Sequence, residues 1–429
     1  MAKNSKVESA GLSAIPLEER KNWPGIAFIW AGSCCCVPAL MVGAGITMGL
    51  TFGQAALAMM IGYGVCVVMM ILMSILAADR GLPAVVSISG AFGEVGASRV
   101  VSLIIAFCYI CWFGFQAVVC GEAFAAILQG MGIPLSGMVS TIIWGLIMCI
   151  TAVYGYNWIE KLNVVAVPAL IIILVYAMIV VFRDPSSVTS IQSHVPAARA
   201  SMITSVGTAI GGFASGAALS GDVTRYCKSR KDVIISSIVG VIPVGVGTML
   251  AGSVLAIHSG ALGMDTGSIV NMLSSVGSPI LGLLVLVLAT WTTNVGNAYS
   301  AGFALLSLTK AKDEKRAWFT LIAGVVGTLL AVFGITNYFN SFLNILAVFI
   351  PPIVGVVAVD YFVLRKGDPA KWESKPGVNL AGMISWVIGS VVALALPTFF
   401  IPTLNAIIIS CVLYVILYPV FYKKKAEAE

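Results

Sequence analysis

Long apolar runs fill the chain from residue 25 to residue 422, separated by short polar stretches. A helix needs about 20 mostly apolar residues to cross the hydrocarbon core of a bilayer. Twelve runs meet that requirement: 25–48, 54–78, 99–129, 136–155, 159–182, 202–224, 233–257, 279–308, 317–335, 338–362, 380–397 and 402–422. The pattern predicts an all-α integral membrane protein of twelve transmembrane helices, packed as one bundle because the connections are short.

The starting positions repeat. Segments one and six begin near 25 and 202, three and eight near 99 and 279, five and ten near 159 and 338. The offsets are 177, 180 and 179 residues. Five helices separate the members of each pair, an odd number, so the second unit enters the membrane inverted. The expected organisation is a tail at 1–24, five-helix repeats at 25–182 and 202–362, two further helices within 380–422, and a tail at 423–429.

Composition agrees with a membrane protein. Of 429 residues, 59% are hydrophobic and 10% charged, against about 25% charged in soluble domains. Residues 1–22 are polar and lack the apolar core of a signal peptide, so they read as a short, flexible cytoplasmic tail. The net charge of +6 follows topology. With the N-terminus inside, all 24 lysines and arginines except Arg183 and Arg199 fall on the cytoplasmic side. The C-terminal lysines fall inside only if the helix count is even. Basic runs of this kind are orientation signals and do not indicate nucleic-acid binding. The ten cysteines lie mostly in apolar runs (Cys34, Cys35, Cys36, Cys108 and Cys111 among them) and are expected as packing residues. No disulfide framework, structural metal or organic cofactor is expected. Nucleophile–base pairs, metal-ligand clusters and a sizeable soluble output domain are all missing from the pattern. That argues for a transporter over an enzyme or receptor, with no obligate protein partner.

Polar interruptions mark the candidate site. Segment one contains Pro38 in a run of small residues (31–45), and segment six contains Gly211, Gly212, Gly216 and Gly221 around Phe213. Small residues also let helices pack closely. Their occurrence at matching repeat positions favours two broken helices around a midplane site. In segment three, Tyr109, Trp112, Phe113 and Gln116 recur at i, i+3, i+4, i+7 and share one face. Glu122, on the same segment, is an intramembrane carboxylate that could pair with a neighbour or carry a proton. Segment eight carries the run Trp291-Thr-Thr-Asn-Val-Gly-Asn297. Its threonines could bond carbonyls one turn back or face an ion.

The stretches WFG (112–114), GGFAS (211–215), DVTRY (222–226), WTTN (291–294) and IPPIVGVVAVDYF (350–362), in this order, resemble the nucleobase–cation symporter-1 family, closest to its cytosine permease branch. The resemblance implies a LeuT-type fold with a mobile four-helix bundle, alternating access, and sodium-driven uptake of a flat heterocyclic base across the cytoplasmic membrane. It implies that the base is sandwiched between Trp112 and Phe213, with Ser215 nearby. It implies sodium at the carbonyls of Gly32, Cys36 and Ala289 and the hydroxyls of Thr292 and Thr293. Two positions depart from the branch: Tyr109 and Ala289 stand where it carries a glutamine and an asparagine. Gln116 sits where the similar hydantoin permeases carry glutamine. This points to a rearranged polar readout, with Asn294 and Asn297 as further candidates, one expected to face the substrate and the other to pin its helix. The substrate expected is cytosine or a purine. Alternatives are a hydantoin, allantoin or hydroxymethylpyrimidine, or coupling to a proton.

Overall fold

The computed structural model describes residues 11–261, 271, 272, 275, 279–396 and 400–426. Residues 1–10 and 427–429 of the two expected tails lie outside the described residues. Helices occupy the positions of all twelve apolar runs. They are α1 (Trp23–Cys34), α2 (Val37–Gly49), α3 (Phe52–Arg80), α4 (Ser102–Gly130), α5 (Gly137–Val153), α6 (Tyr156–Arg183), α7 (Met202–Ala218), α8 (Arg230–Val241) and α9 (Gly247–Ser259). There follow α10 (Pro279–Thr309), α11 (Arg316–Val332), α12 (Phe339–Phe349), α13 (Pro351–Ala358), α14 (Leu380–Ala395) and α15 (Pro402–Ala426). Among the described residues, eight helices are long and apolar enough to cross a membrane, or nine with the bent α1–α2 pair taken as one span. Residues 423–426, expected in a C-terminal tail, continue α15 instead.

Segment one breaks as expected. The axes of α1 and α2 differ by 53°, and the break falls at Cys35–Cys36, just before Pro38 in the first turn of α2. Proline has no N–H to donate and is tolerated where a helix begins. Segment six does not break at Gly211, Gly212 or Gly216, and its interruption comes only just before Gly221. α7 runs unbroken from Met202 to Ala218, and the chain turns only at Leu219–Ser220 before a single helical turn, Gly221–Thr224. None of Gly211, Gly212 or Gly216 has a positive φ. They serve close approach instead. A Cβ on Gly211 would lie 3.1 Å from the Leu343 carbonyl of α12, and one on Gly216 would run into the ring of Phe213.

The helices form two packed groups. In one, α7 lies on α3, α2 on α9 and α1 on α8. In the other, α10 lies on α4 and α11 on both α4 and α5. The cavity described below lies between them.

Loops that carry the basic residues meet at one end. Arg230 makes a two-pronged ion pair with Asp79 and bonds the Gly367 carbonyl, and Arg80 donates to the Pro369 carbonyl at 3.0 Å. At the opposite end, Ala200 N–H donates to Gly49 O at 2.9 Å and the His258 ring bonds Ser187. Successive segments therefore run alternately between the two ends.

Residues 11–22, expected as a loose tail, form a packed strap across the basic end. Leu12 N–H donates to the Asp313 carboxylate at 2.9 Å, as does the Ser13 hydroxyl. Ile15 N–H donates to Gly81 O at 2.9 Å. Lys21 pairs with Glu160 and forms a parallel bridge with Cys227. The strap is polar enough to be mistaken for a solvated tail. Most of its hydrogen bonds have a backbone group on at least one side, which composition does not reveal.

Candidate transport cavity

A partly enclosed cavity lies between α1–α2 and α7 on one side and α4 and α10 on the other. The break between α1 and α2 positions Ser33, Cys36 and Pro38 on its wall. From α4 come Tyr109, Trp112 and Gln116, as their helical spacing requires. From α7 come Phe213 and Ser215, and from α10 Thr292, Thr293, Gly296, Asn297 and Ser300. None of the described lining residues is Lys, Arg, Asp or Glu.

The aromatic groups are held in place. Trp112 Nε1–H donates to Ser215 Oγ at 3.0 Å, joining the two packed groups across the cavity. On its other side the indole meets the edges of Phe339 and Phe342 at 6.1 and 5.4 Å between centroids. Phe213 stacks on Tyr63 at 5.6 Å, nearly parallel, with its edge toward Trp30. Trp112 and Phe213 thus line one cavity, each backed by other rings. Toward the basic end, Tyr156 closes the cavity, stacked on Tyr226 at 4.0 Å.

Among the described residues, Gln116 Oε1, an acceptor, and Trp30 Nε1–H, a donor, are buried on the lining without a hydrogen-bond partner. Buried polar groups in native structures are nearly always satisfied. An orphaned donor and an orphaned acceptor on one cavity are therefore groups for a ligand to satisfy.

The threonine pair sits at the seam of α1 and α10. Thr292 Oγ1 lies 3.3 Å from Gly32 O and 3.2 Å from Ala289 O, and Thr293 Oγ1 lies 3.1 and 3.0 Å from the same two carbonyls. Each hydroxyl donates one turn back along α10, as the first of the two sequence readings has it, and each also lies within reach of the Gly32 carbonyl of α1. The Ser33 carbonyl, not anticipated, is 3.4 Å from Thr293 Oγ1. These hard oxygen atoms, without a carboxylate, suit a monovalent cation. The Cys36 carbonyl accepts from Ala39 and Leu40 N–H in the first turn of α2, and its side chain faces the cavity beside Thr293 and Gln116.

Three candidates lie elsewhere. Asn294 points away from the cavity, where its amide donates to Phe113 O at 3.2 Å and Met148 Sδ at 3.3 Å. Asn297 is the cavity-facing one, and its amide donates to Asn294 Oδ1 at 3.1 Å. Ala289 is absent from the lining and contributes its carbonyl only. Glu122 is exposed on the outer face of α4, beside Gly137 at the start of α5. Its position ten residues past Trp112 carries it off the cavity face.

Sequence reasoning missed Trp30 and Ser300. Ser300 was findable: Thr293, Gly296, Asn297 and Ser300 repeat the i, i+3, i+4, i+7 pattern of segment three.

Residues 14–417 match the family described as permease for cytosine/purines, uracil, thiamine, allantoin. The cytosine permease of Escherichia coli (strain K12) is 25% identical over 417 residues, covering 96% of this chain and 95% of the relative. Among solved structures, Mhp1, a nucleobase-cation-symport-1 family transporter in a closed conformation with bromovinylhydantoin bound, superposes with a TM-score of 0.84 at 20% identity, covering 98% and 97% of the two chains. A substrate-bound Na+-coupled sialic acid symporter superposes at 0.66 with 14% identity, covering 94% and 91%.

Proposed function

The chain belongs to the family of permeases for cytosine/purines, uracil, thiamine and allantoin, and from that premise we propose that it imports a nucleobase, cytosine or a purine, across the cytoplasmic membrane together with sodium. The observation that carries this reading is the cavity: uncharged, flanked by Trp112 and Phe213, and holding an unpaired acceptor at Gln116 and an unpaired donor at Trp30. A nucleobase is flat and neutral, and its edge alternates donors and acceptors. Such a ligand satisfies both orphaned atoms and needs no buried charge, which a membrane site would hold only at high cost. Asn297 adds a further amide to the wall.

The Gly32 and Ala289 carbonyls with Thr292 and Thr293 form the sodium site in this reading, Cys36 marking the break that frees the α1 carbonyls. The whole chain is read as twelve spans in a LeuT-type 5+5 inverted repeat with two added helices. The basic end, with both termini, faces the cytoplasm. Alternating access follows from relative movement of the two packed groups about the cavity.

The test is uptake of labelled cytosine, adenine, hypoxanthine and uracil into proteoliposomes, with and without an inward sodium gradient. Sodium-stimulated uptake of at least one base is expected; uptake of none, under any gradient, would end the proposal. A second reading, in which the cargo is a hydantoin, allantoin or hydroxymethylpyrimidine, rests on Tyr109 and Ala289 standing where the cytosine permease branch has amides. These compounds belong in the same panel.

A further inference from the structure

Asp222 is the buried carboxylate next to the cavity. It is 1% exposed and sits in the single turn that follows the end of α7. Its neighbours Leu219 and Val223 line the cavity floor. Oδ1 accepts the Ala84 N–H at 2.9 Å. The Ser300 hydroxyl lies within side-chain hydrogen-bonding reach of the carboxylate and of the Tyr109 phenol. Ser300 and Tyr109 both line the cavity, so an unbroken polar chain runs from Asp222 through Ser300 to Tyr109.

The titratable or charged groups facing Asp222 are few. α4 presents the Tyr109 phenol, and its own segment presents Arg225. The Arg225 guanidinium donates to the Gly11 carbonyl of the strap at 2.9 Å and lies over the Phe303 ring. The 84–87 turn supplies a backbone N–H, α10 a hydroxyl, and α3 the methyl of Ala77 beside Gly221. A structural tie to Ala84 needs only an acceptor, which an amide supplies without burying a charge. A carboxylate here has a property an amide lacks: it binds and releases a proton.

We propose that Asp222 is a proton-binding group of the transport cavity, whose protonation reverses the hydrogen-bond chain Asp222–Ser300–Tyr109 and turns the Tyr109 hydroxyl from an acceptor into a donor toward the substrate. This rests on the cavity being the substrate site. With Asp222 ionised, Ser300 O–H donates to the carboxylate and Tyr109 O–H donates to Ser300 Oγ. Tyr109 then offers the cavity only its oxygen lone pairs. When a proton from water adds to the carboxylate, the new O–H donates to Ser300 Oγ. Ser300 O–H then turns to Tyr109 Oη, and the phenol proton turns to the cavity. No other bond forms or breaks. Proton binding thereby sets which edge of a base the wall accepts.

Two measurements on the full-length protein in lipid test this. The first needs no substrate: infrared difference spectra, wild type minus Asp222→Asn, recorded between about pH 5 and pH 8. A protonated-carboxyl C=O band that grows as pH falls is expected; no such band overturns the proposal. The second is equilibrium binding of labelled cytosine and of a 5-substituted hydantoin at saturating sodium over the same range. Wild-type affinity should change several-fold with pH. Asp222→Asn and Tyr109→Phe should each flatten the change, and Glu122→Gln should leave it intact. An unaltered pH slope in Asp222→Asn, or a pH-independent wild type, overturns the relay. If Asp222→Asn does not fold, Ser300→Ala keeps the carboxylate and cuts the chain: the band must persist while the slope flattens. A titrating band with no binding of either probe would count against the substrate reading and not against Asp222 as the proton site.

Discussion

Trp112 is held by a hydrogen bond from Nε1 to Ser215 and by edge contacts with Phe339 and Phe342. Trp112→Phe keeps an aromatic face but loses that bond, worth about 0.5–1.5 kcal/mol, so base binding should weaken up to roughly tenfold. Trp112→Ala removes the face as well and should abolish binding, both measured with labelled base in detergent. Thr293→Ala removes a hydroxyl from the carbonyl seam. The sodium concentration for half-maximal uptake should rise, and an unchanged value would exclude Thr293 as a ligand. The two asparagines separate by readout. Asn294→Ala removes a second donor from the buried Phe113 carbonyl and takes away the acceptor of the Asn297 amide, and should cost about 1–3 kcal/mol of stability, seen as a lower melting temperature. Asn297→Ala should instead alter which bases compete for uptake. Spacing on one helix made the Trp112 face legible in the sequence. It could not decide between Asn294 and Asn297, because residues three apart share a face and only the packing of α4 and α5 assigns the inward one. Asp222 entered the sequence reading only as the first residue of the DVTRY stretch and was given no role, because it stands just past the end of a helix and outside any periodic pattern.

At the scale of elements, breaks were legible where a covalent cause exists and illegible where packing decides. Pro38 forces the start of α2, and the break was anticipated there. The glycines of α7 permit a break without requiring one, and contact with α12 and the Phe213 ring keeps that helix whole. Gly32 shows what such contact demands. A Cβ there would lie 1.6 Å from Asn163 Oδ1 of α6, far inside any tolerable separation, and Asn163 is fully buried with its amide N–H bonded to Ile159 O. Gly32→Ala should push α1 from α6 and displace the Gly32 carbonyl from the threonine pair. The expected outcome is lost sodium stimulation with residual sodium-independent base binding, compared by binding assays in sodium and choline salts.

Across the whole molecule, the alternation of basic and neutral loops anticipated which connections meet at each end, because charge placement is a property of composition. The strap was not anticipated, since its ties run through backbone groups and through Asp313. Asp313→Ala removes the acceptor of Leu12 N–H and of the Ser13 hydroxyl together. The basic end should then open more often, and the cavity-facing Cys36 should react several-fold faster with a membrane-impermeant maleimide applied from that end. Added substrate should protect it.

The described residues of the cavity wall carry no formal charge, and the proposed cargo is neutral. A sodium ion crossing with that cargo would be the charge displaced in each inward step, so uptake would register as an electric current. An interior-negative potential of about 100 mV contributes ~2.3 kcal/mol per charge, about a 50-fold accumulation before any sodium gradient is counted. A cell with no chemical gradient of sodium would still concentrate the base for as long as it held its voltage.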